Sequence, residues 1–218
     1  MRIRYVFGIL LLSLLTPSLC SAQDFEAAIG GGYSLNSAVT IDHVYGNRGG
    51  FSGSLSGGAF IEDYLSLGVL YEQNRWGYST ATGNIDLASP ARSFSGYICK
   101  HYQLPNLHPQ PRYSEFCIKA IAGYTLITKG SPYVQHQASQ GFKDTYRGGG
   151  LNIGLQLQFL HPISKFVSGF INVGTGRAFV SGHNTRDYKN YPVSYREKIS
   201  YNIQYYTSEI GIIYRIFQ

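Results

Sequence analysis

The sequence predicts an all-β fold, an eight-stranded antiparallel up-and-down barrel that spans a membrane. Three observations predict it: alternation with a period of two, connections that are alternately long and short, and a shortage of charge. Only 14% of the 218 residues are charged, against about 25% in an average soluble domain. Gly (26), Tyr (19) and Phe (12) are plentiful, whereas Trp and Met each occur once. A disordered tail would lack this much aromatic surface, and a coiled coil would need far more Glu, Lys and Leu.

The first element is a leader. Met1-Arg2-Ile3-Arg4 is a basic head, Tyr5 to Leu15 an apolar run, and Pro17 precedes the small residues Ser21-Ala22. This is the layout of a secretory signal peptide over residues 1–22, cut after Ala22, with residues 23–218 forming one barrel domain. The run is shorter than the about 20 apolar residues of a membrane-crossing helix. Cys20 as a lipidation site is the weaker reading, because Leu19 stands where such signals want a small residue. Cleavage removes Arg2, Arg4 and Cys20, lowers the formal net charge of +6 by two, and leaves Cys99 and Cys117. An even pair in an exported chain reads as a disulfide.

Eight alternating segments follow, at 24–35, 51–61, 65–78, 92–104, 113–127, 148–160, 165–180 and 198–217. In the first, Phe25, Ala27, Ile29, Tyr33 and Leu35 alternate with Glu26, Ala28, Gly30, Gly32 and Ser34. In the second, Phe51, Leu55, Ala59 and Ile61 alternate with serines; in the third, Leu65, Leu67, Val69 and Tyr71 alternate with Ser66, Gly68 and Glu72. Leu151, Ile153, Leu155, Leu157 and Phe159 against Asn152, Gly154, Gln156 and Gln158 give the clearest case. Such alternation marks strands with one apolar and one polar face. In the last segment Tyr201, Ile203 and Tyr205 are out of phase with Ile210, Ile212, Tyr214 and Ile216, so a bulge near Tyr206 to Ser208 is expected. Connections 36–50, 79–91, 128–147 and 181–197 are long and polar, while 62–64, 105–112 and 161–164 are short. Long extracellular loops and short periplasmic turns are the layout of an outer-membrane barrel.

A soluble ligand-binding barrel also alternates, with its bulky apolar set inside. Here the polar set is small and the apolar set bulky, and an eight-stranded barrel leaves room inside only for side chains. The small set therefore lines the lumen, and the aliphatics face lipid. Lys100 then falls on the lipid face and must lie near an interface, where its stem can snorkel.

The chain ends Glu209-Ile210-Gly211-Ile212-Ile213-Tyr214-Arg215-Ile216-Phe217-Gln218. Gly211, Tyr214, Ile216 and Phe217 resemble the C-terminal signal read by the barrel-assembly machinery of Gram-negative bacteria, although that signal usually ends on the aromatic itself. With the leader and the strands, this resembles the small eight-stranded outer-membrane β-barrel family, similar in plan to the OmpA transmembrane domain and OmpX. The Tyr-rich strands and Tyr102-Gln103-Leu104-Pro105 resemble barrels of Bacteroidetes. The resemblance implies export to the outer membrane of a Gram-negative cell and a monomer surrounded by outer-membrane lipid. It names no activity.

Candidate functional residues fall into three groups. Glu26, Glu72, Glu115 and Glu209 face Lys119 and Arg215 across the expected lumen, with Arg177 unassigned, as a packed polar plug or an ion path. Cys99 and Cys117, with residue 99 set opposite 117 across the Pro-rich turn, are expected to staple that hairpin from the lumen side. Lys129, Lys143, Arg147, Arg186, Lys189, Arg196 and Lys198 outnumber Asp144, Asp187 and Glu197 in the last two long loops. Lipopolysaccharide phosphates are their natural counter-charge, an unidentified extracellular ligand is the other candidate, and nucleic acid is excluded by compartment.

His183-Asn184-Thr185 lacks the Ser that a lipid-deacylating His-x-Ser-Asn motif would need. The His residues at 43, 101, 108, 136, 161 and 183 show no metal-ligand spacing, and no Gly-rich loop precedes a helix, so no metal or cofactor is expected. The sequence therefore reads as an outer-membrane barrel with a structural or surface-interacting role and no catalysis. The rivals are a narrow ion-conducting channel and a lipid-modifying enzyme.

Overall fold

The computed structural model describes residues 24–39, 44–74, 77–80, 83–87, 91–104, 113–130, 132–133, 142–188 and 194–217. The leader, the Pro-rich turn and Lys189 lie outside them. In chain order the strands are β1 (Asp24–Val39), β2 (Val44–Glu62), β3 (Leu65–Asn74), β4 (Gly77–Thr80), β5 (Gly83–Leu87), β6 (Ala91–Gln103), β7 (Glu115–Gly130), β8 (Pro132–Tyr133), β9 (Phe142–Pro162), β10 (Val167–Tyr188) and β11 (Ser194–Phe217). Strands β1, β2, β3, β6, β7, β9, β10 and β11 pair antiparallel with their chain neighbours, and β11 returns to β1, closing an eight-stranded barrel. The short strands β4, β5 and β8 form a flap beyond β2.

Following paired residues once around the wall leads from Ile29 through Leu55, Tyr71, Phe94, Tyr124, Leu151, Phe179 and Asn202 to Val39. The path ends well up the strand on which it began. That stagger is the geometric signature of tilted strands in a closed barrel.

Inside and outside follow the alternation. Phe51 is 78% exposed and Ile210 68%, and Ile29, Leu55, Val69, Phe94, Leu151, Ile171 and Ile212 are exposed on the same outer surface. The inward set is buried and mixes polar with large apolar side chains, among them Leu70, Tyr97, Ile121, Leu160, Phe170 and Ile213. An outward apolar belt around a filled, partly polar interior inverts a soluble barrel, and its outer surface is a lipid-facing one.

The expected bulge in the last strand is absent. β11 keeps one register with β1 and with β10 throughout, and Ile203 and Tyr205 point inward, 0% and 4% exposed. The phase change arises because the lumen is not uniformly small and polar; one end of it takes apolar side chains. The last two long connections also differ from expectation. β9, β10 and β11 continue in register as far as Phe142, Tyr188 and Ser194, so most of 142–147 and 181–197 is a raised three-stranded sheet, not loop.

The inward rings are seated on glycine. Tyr97 faces Gly68, which faces Gly58; Phe170 faces Gly211, which faces Gly30; Tyr205 faces Gly176, which faces Gly154. A Cβ on Gly68 would lie 2.5 Å from Tyr97 Cζ, and one on Gly211 would lie 2.5 Å from Phe170 Cζ. Gly68→Val is therefore expected to cost about 1–3 kcal/mol through overpacking, read as a lower urea midpoint for the barrel refolded in vesicles. Gly31→Val, whose new Cβ meets nothing nearer than 3.8 Å, should leave the midpoint in place.

Candidate functional site

The inward residues near the short-turn end converge on Arg215. The odd residues of β11 face the lumen, which carries Arg215 between Glu26 of β1 and Glu115 of β7. Its guanidinium donates to Glu115 through Nη1 at 2.6 Å and Nη2 at 3.0 Å, and through Nε to Glu26 at 3.4 Å. It also lies 5.2 Å from the Phe60 ring. His101 of β6 completes the group, with Nδ1 3.1 Å from Glu115 Oε2 and Nε2 3.0 Å from Ser66 Oγ.

Ser66, His101 and Glu115 thus stand in the order of a nucleophile, base and acid, an arrangement the sequence did not reveal. The proton directions oppose catalysis. The single hydroxyl hydrogen of Ser66 is donated to Glu26 Oε1 at 3.3 Å, so His101 Nε2–H donates to Ser66 and takes no proton from it. Ser66 is also 0% exposed, so its hydroxyl is not open to a substrate carbonyl.

Cys99 and Cys117 sit in the same cluster as free thiols, 1% and 0% exposed. Their register corrects the expected one. Cys99 pairs with Lys119, and Cys117 with His101, so the cysteines are diagonal and not opposite. The pairing is shifted by two residues from one that sets 104 opposite 112: Gln103 pairs with Glu115, and Leu104 N–H donates to Ser114 O at 2.8 Å. Cys117 Sγ lies 3.1 Å from His101 Nδ1. The expectation of no metal-ligand spacing missed this trio, whose ligand atoms all lie within 4.8 Å of one another. The readable signal was Cys99-x-His101, two residues on one strand face, with Cys117 on the neighbouring strand.

The other lumen residues form a second, separate group. Glu72 accepts a hydrogen bond from Gln156 Nε2 at 2.9 Å, and Glu209 accepts from Ser54 Oγ at 2.9 Å and Asn172 Nδ2 at 3.5 Å. Lys119 Nζ lies 4.5 Å from the centre of the Tyr97 ring, which divides the two groups. All six charged residues expected in the lumen are inward, but they make two networks.

Outside, the raised sheet carries a basic face. Arg147, His183 and Lys198 are directly paired across β9, β10 and β11, and all three are exposed. Arg196, paired with Thr185, extends the face upward, and exposed Arg177 lies below it on the lipid-facing side of β10. The backbones of Lys129, Lys143 and Arg186 lie in β7, β9 and β10. At the opposite rim, exposed Lys100 lies 5.9 Å from the Tyr64 ring and 5.3 Å from the Tyr102 ring, an interfacial setting that explains a lysine on this face. Of the C-terminal residues, Tyr214 and Ile216 face outward beside β1, while Gly211 faces inward beneath Phe170.

No protein-family model matches the chain, and no curated protein matches it in sequence. Solved structures do. Neisserial surface protein A is similar with a TM-score of 0.51 at 12% identity, covering 87% of this chain and 96% of its own. The Ail attachment invasion locus protein of Yersinia pestis (TM-score 0.44, 14% identity, 88% and 98% covered) and the outer membrane protease OmpT of Escherichia coli (0.45, 11%, 90% and 98%) are more distant. The first likeness speaks for the fold, and the apolar outer belt speaks for the surroundings. Together they make this chain an integral β-barrel of the outer-membrane type.

Proposed function

We propose that the barrel is a surface-interaction protein that holds anionic headgroups, lipopolysaccharide phosphates above all, on the outward basic face of its raised sheet, and that it catalyses no reaction. The observation that carries this reading is the row Arg147–His183–Lys198, side by side on three strands immediately above the apolar belt. On this reading the outer-leaflet phosphates lie level with that row, and Arg177 just below snorkels up to them. Each basic side chain near an anionic surface contributes about 1 kcal/mol.

Charge reversal at both positions, Arg147→Glu with Lys198→Glu, is therefore expected to lower lipopolysaccharide binding by the purified barrel at least about tenfold. The loss should shrink as salt is raised. Binding unchanged by the double reversal would refute the assignment. The channel alternative is disfavoured by the filled cross-section, where Tyr97, Phe170, Leu70 and the Arg215 pairs occupy the lumen. Planar-bilayer recordings of the refolded barrel should be silent.

A further inference from the structure

We infer that Cys99, His101 and Cys117 form a binding site for one thiophilic closed-shell cation, Zn2+ or Cu+, inside the barrel. Two sulfurs and one imidazole nitrogen come together from two adjacent strands, and all three residues are buried. Thiolate and imidazole donors select these ions over Mg2+ or Ca2+, which take oxygen ligands.

Two features favour a metal over a direct S–S bond. The first is register. Diagonal positions on an antiparallel pair are about 7–8 Å apart at Cα, whereas disulfides span about 4.4–6.8 Å. A metal accommodates the wider gap, since each metal–sulfur bond adds about 2.3 Å. The second is the orientation of His101. Nε2–H is committed to Ser66 Oγ, and Ser66 in turn donates to Glu26, so Nδ1 is the nitrogen on the sulfur side; it lies 3.1 Å from Cys117 Sγ and equally 3.1 Å from Glu115 Oε2, a contact that a bound cation replaces. An outer partner that fixes the ring and frees the other nitrogen is the usual support of a metal-bound histidine. Glu115 is already engaged by both terminal nitrogens of Arg215, so the protein offers three ligands and leaves further coordination open. Binding a cation releases the two thiol protons to solvent, and Lys119, paired with Cys99, balances thiolate charge.

The test uses the full-length protein isolated from membranes without reductant. Thiols are counted and the intact mass is measured; the protein is then titrated with Zn2+, and separately with Cd2+, whose thiolate complexes absorb in the ultraviolet. The inference expects one tightly held equivalent of metal, a cadmium–thiolate band, and slowed alkylation of both cysteines after loading. Cys99→Ser and Cys117→Ser, which keep size and fold, should each weaken binding at least tenfold, with folding verified by gel mobility. A mass lower by two hydrogens with no titratable thiol would replace the metal by a disulfide and overturn the inference. Reduced protein that holds no more metal than the Cys99→Ser/Cys117→Ser double variant would overturn it equally.

Discussion

Replacing Arg215 by methionine is expected to destabilise the folded barrel by about 3–5 kcal/mol, the cost of removing one partner from a buried ion pair. The reason is what remains. Glu115 loses its two-point donor, Glu26 loses the Nε contact, and two carboxylates from opposite walls then meet in the lumen without the guanidinium between them. The arginine's contact with the Phe60 ring is lost as well. Equilibrium urea unfolding in lipid vesicles, followed by circular dichroism and gel mobility, measures the loss. Adding Glu115→Gln should restore part of it, because a neutral amide no longer needs the guanidinium. A loss below about 1 kcal/mol, typical of exposed pairs, would show that water reaches this end of the lumen and screens the cluster.

The second large effect belongs to the outer face. Val173 lies within the outward apolar run of β10, half exposed, between Leu157 of β9 and Ser208 of β11. Val173→Arg is expected to cost about 2–4 kcal/mol, the penalty for a cation near the bilayer midplane. Ser181→Arg, higher on the same face of the same strand and exposed, should cost about 0–1 kcal/mol, since it emerges near the headgroups. The contrast is the informative part. Equal, small losses at both positions would place Val173 outside the hydrocarbon and contradict the lipid-facing belt.

Much of the fold was legible because the period of two leaves little freedom. Once Leu151, Ile153, Leu155 and Leu157 share one face, Asn152, Gln156 and Gln158 must share the other. The direction of that face followed from side-chain volume alone. What escaped was whatever depends on register between strands. Cys99 and Cys117 could be placed on the lumen side, but their offset depends on how the intervening turn closes, and period-two patterning is blind to a shift of two. Ser66, His101 and Glu115 meet for the same kind of reason: each was assignable to a face, but their level along the barrel was not. Ile203 and Tyr205 misled because an inward face was taken to be uniformly polar. The basic residues were assigned to loops, and their order on a sheet required β9, β10 and β11 to continue beyond the apolar belt.

The glycine seats bear on how the closed wall finds its own alignment. A strand displaced by one residue turns its apolar face inward and is rejected at once. A displacement of two preserves every inside and outside assignment, so lipid cannot detect it. The rings can. Shifting β10 against β11 so that Tyr205 meets Gly174 would drive Phe170 against Glu209, and the opposite shift would set Phe170 on Ile213 and Tyr205 on Ala178. On the other wall, Tyr97 displaced from Gly68 would meet Ser66 or Leu70. Ring and notch therefore work as a vernier read from the interior, in which only one setting of the strands lets every mark coincide.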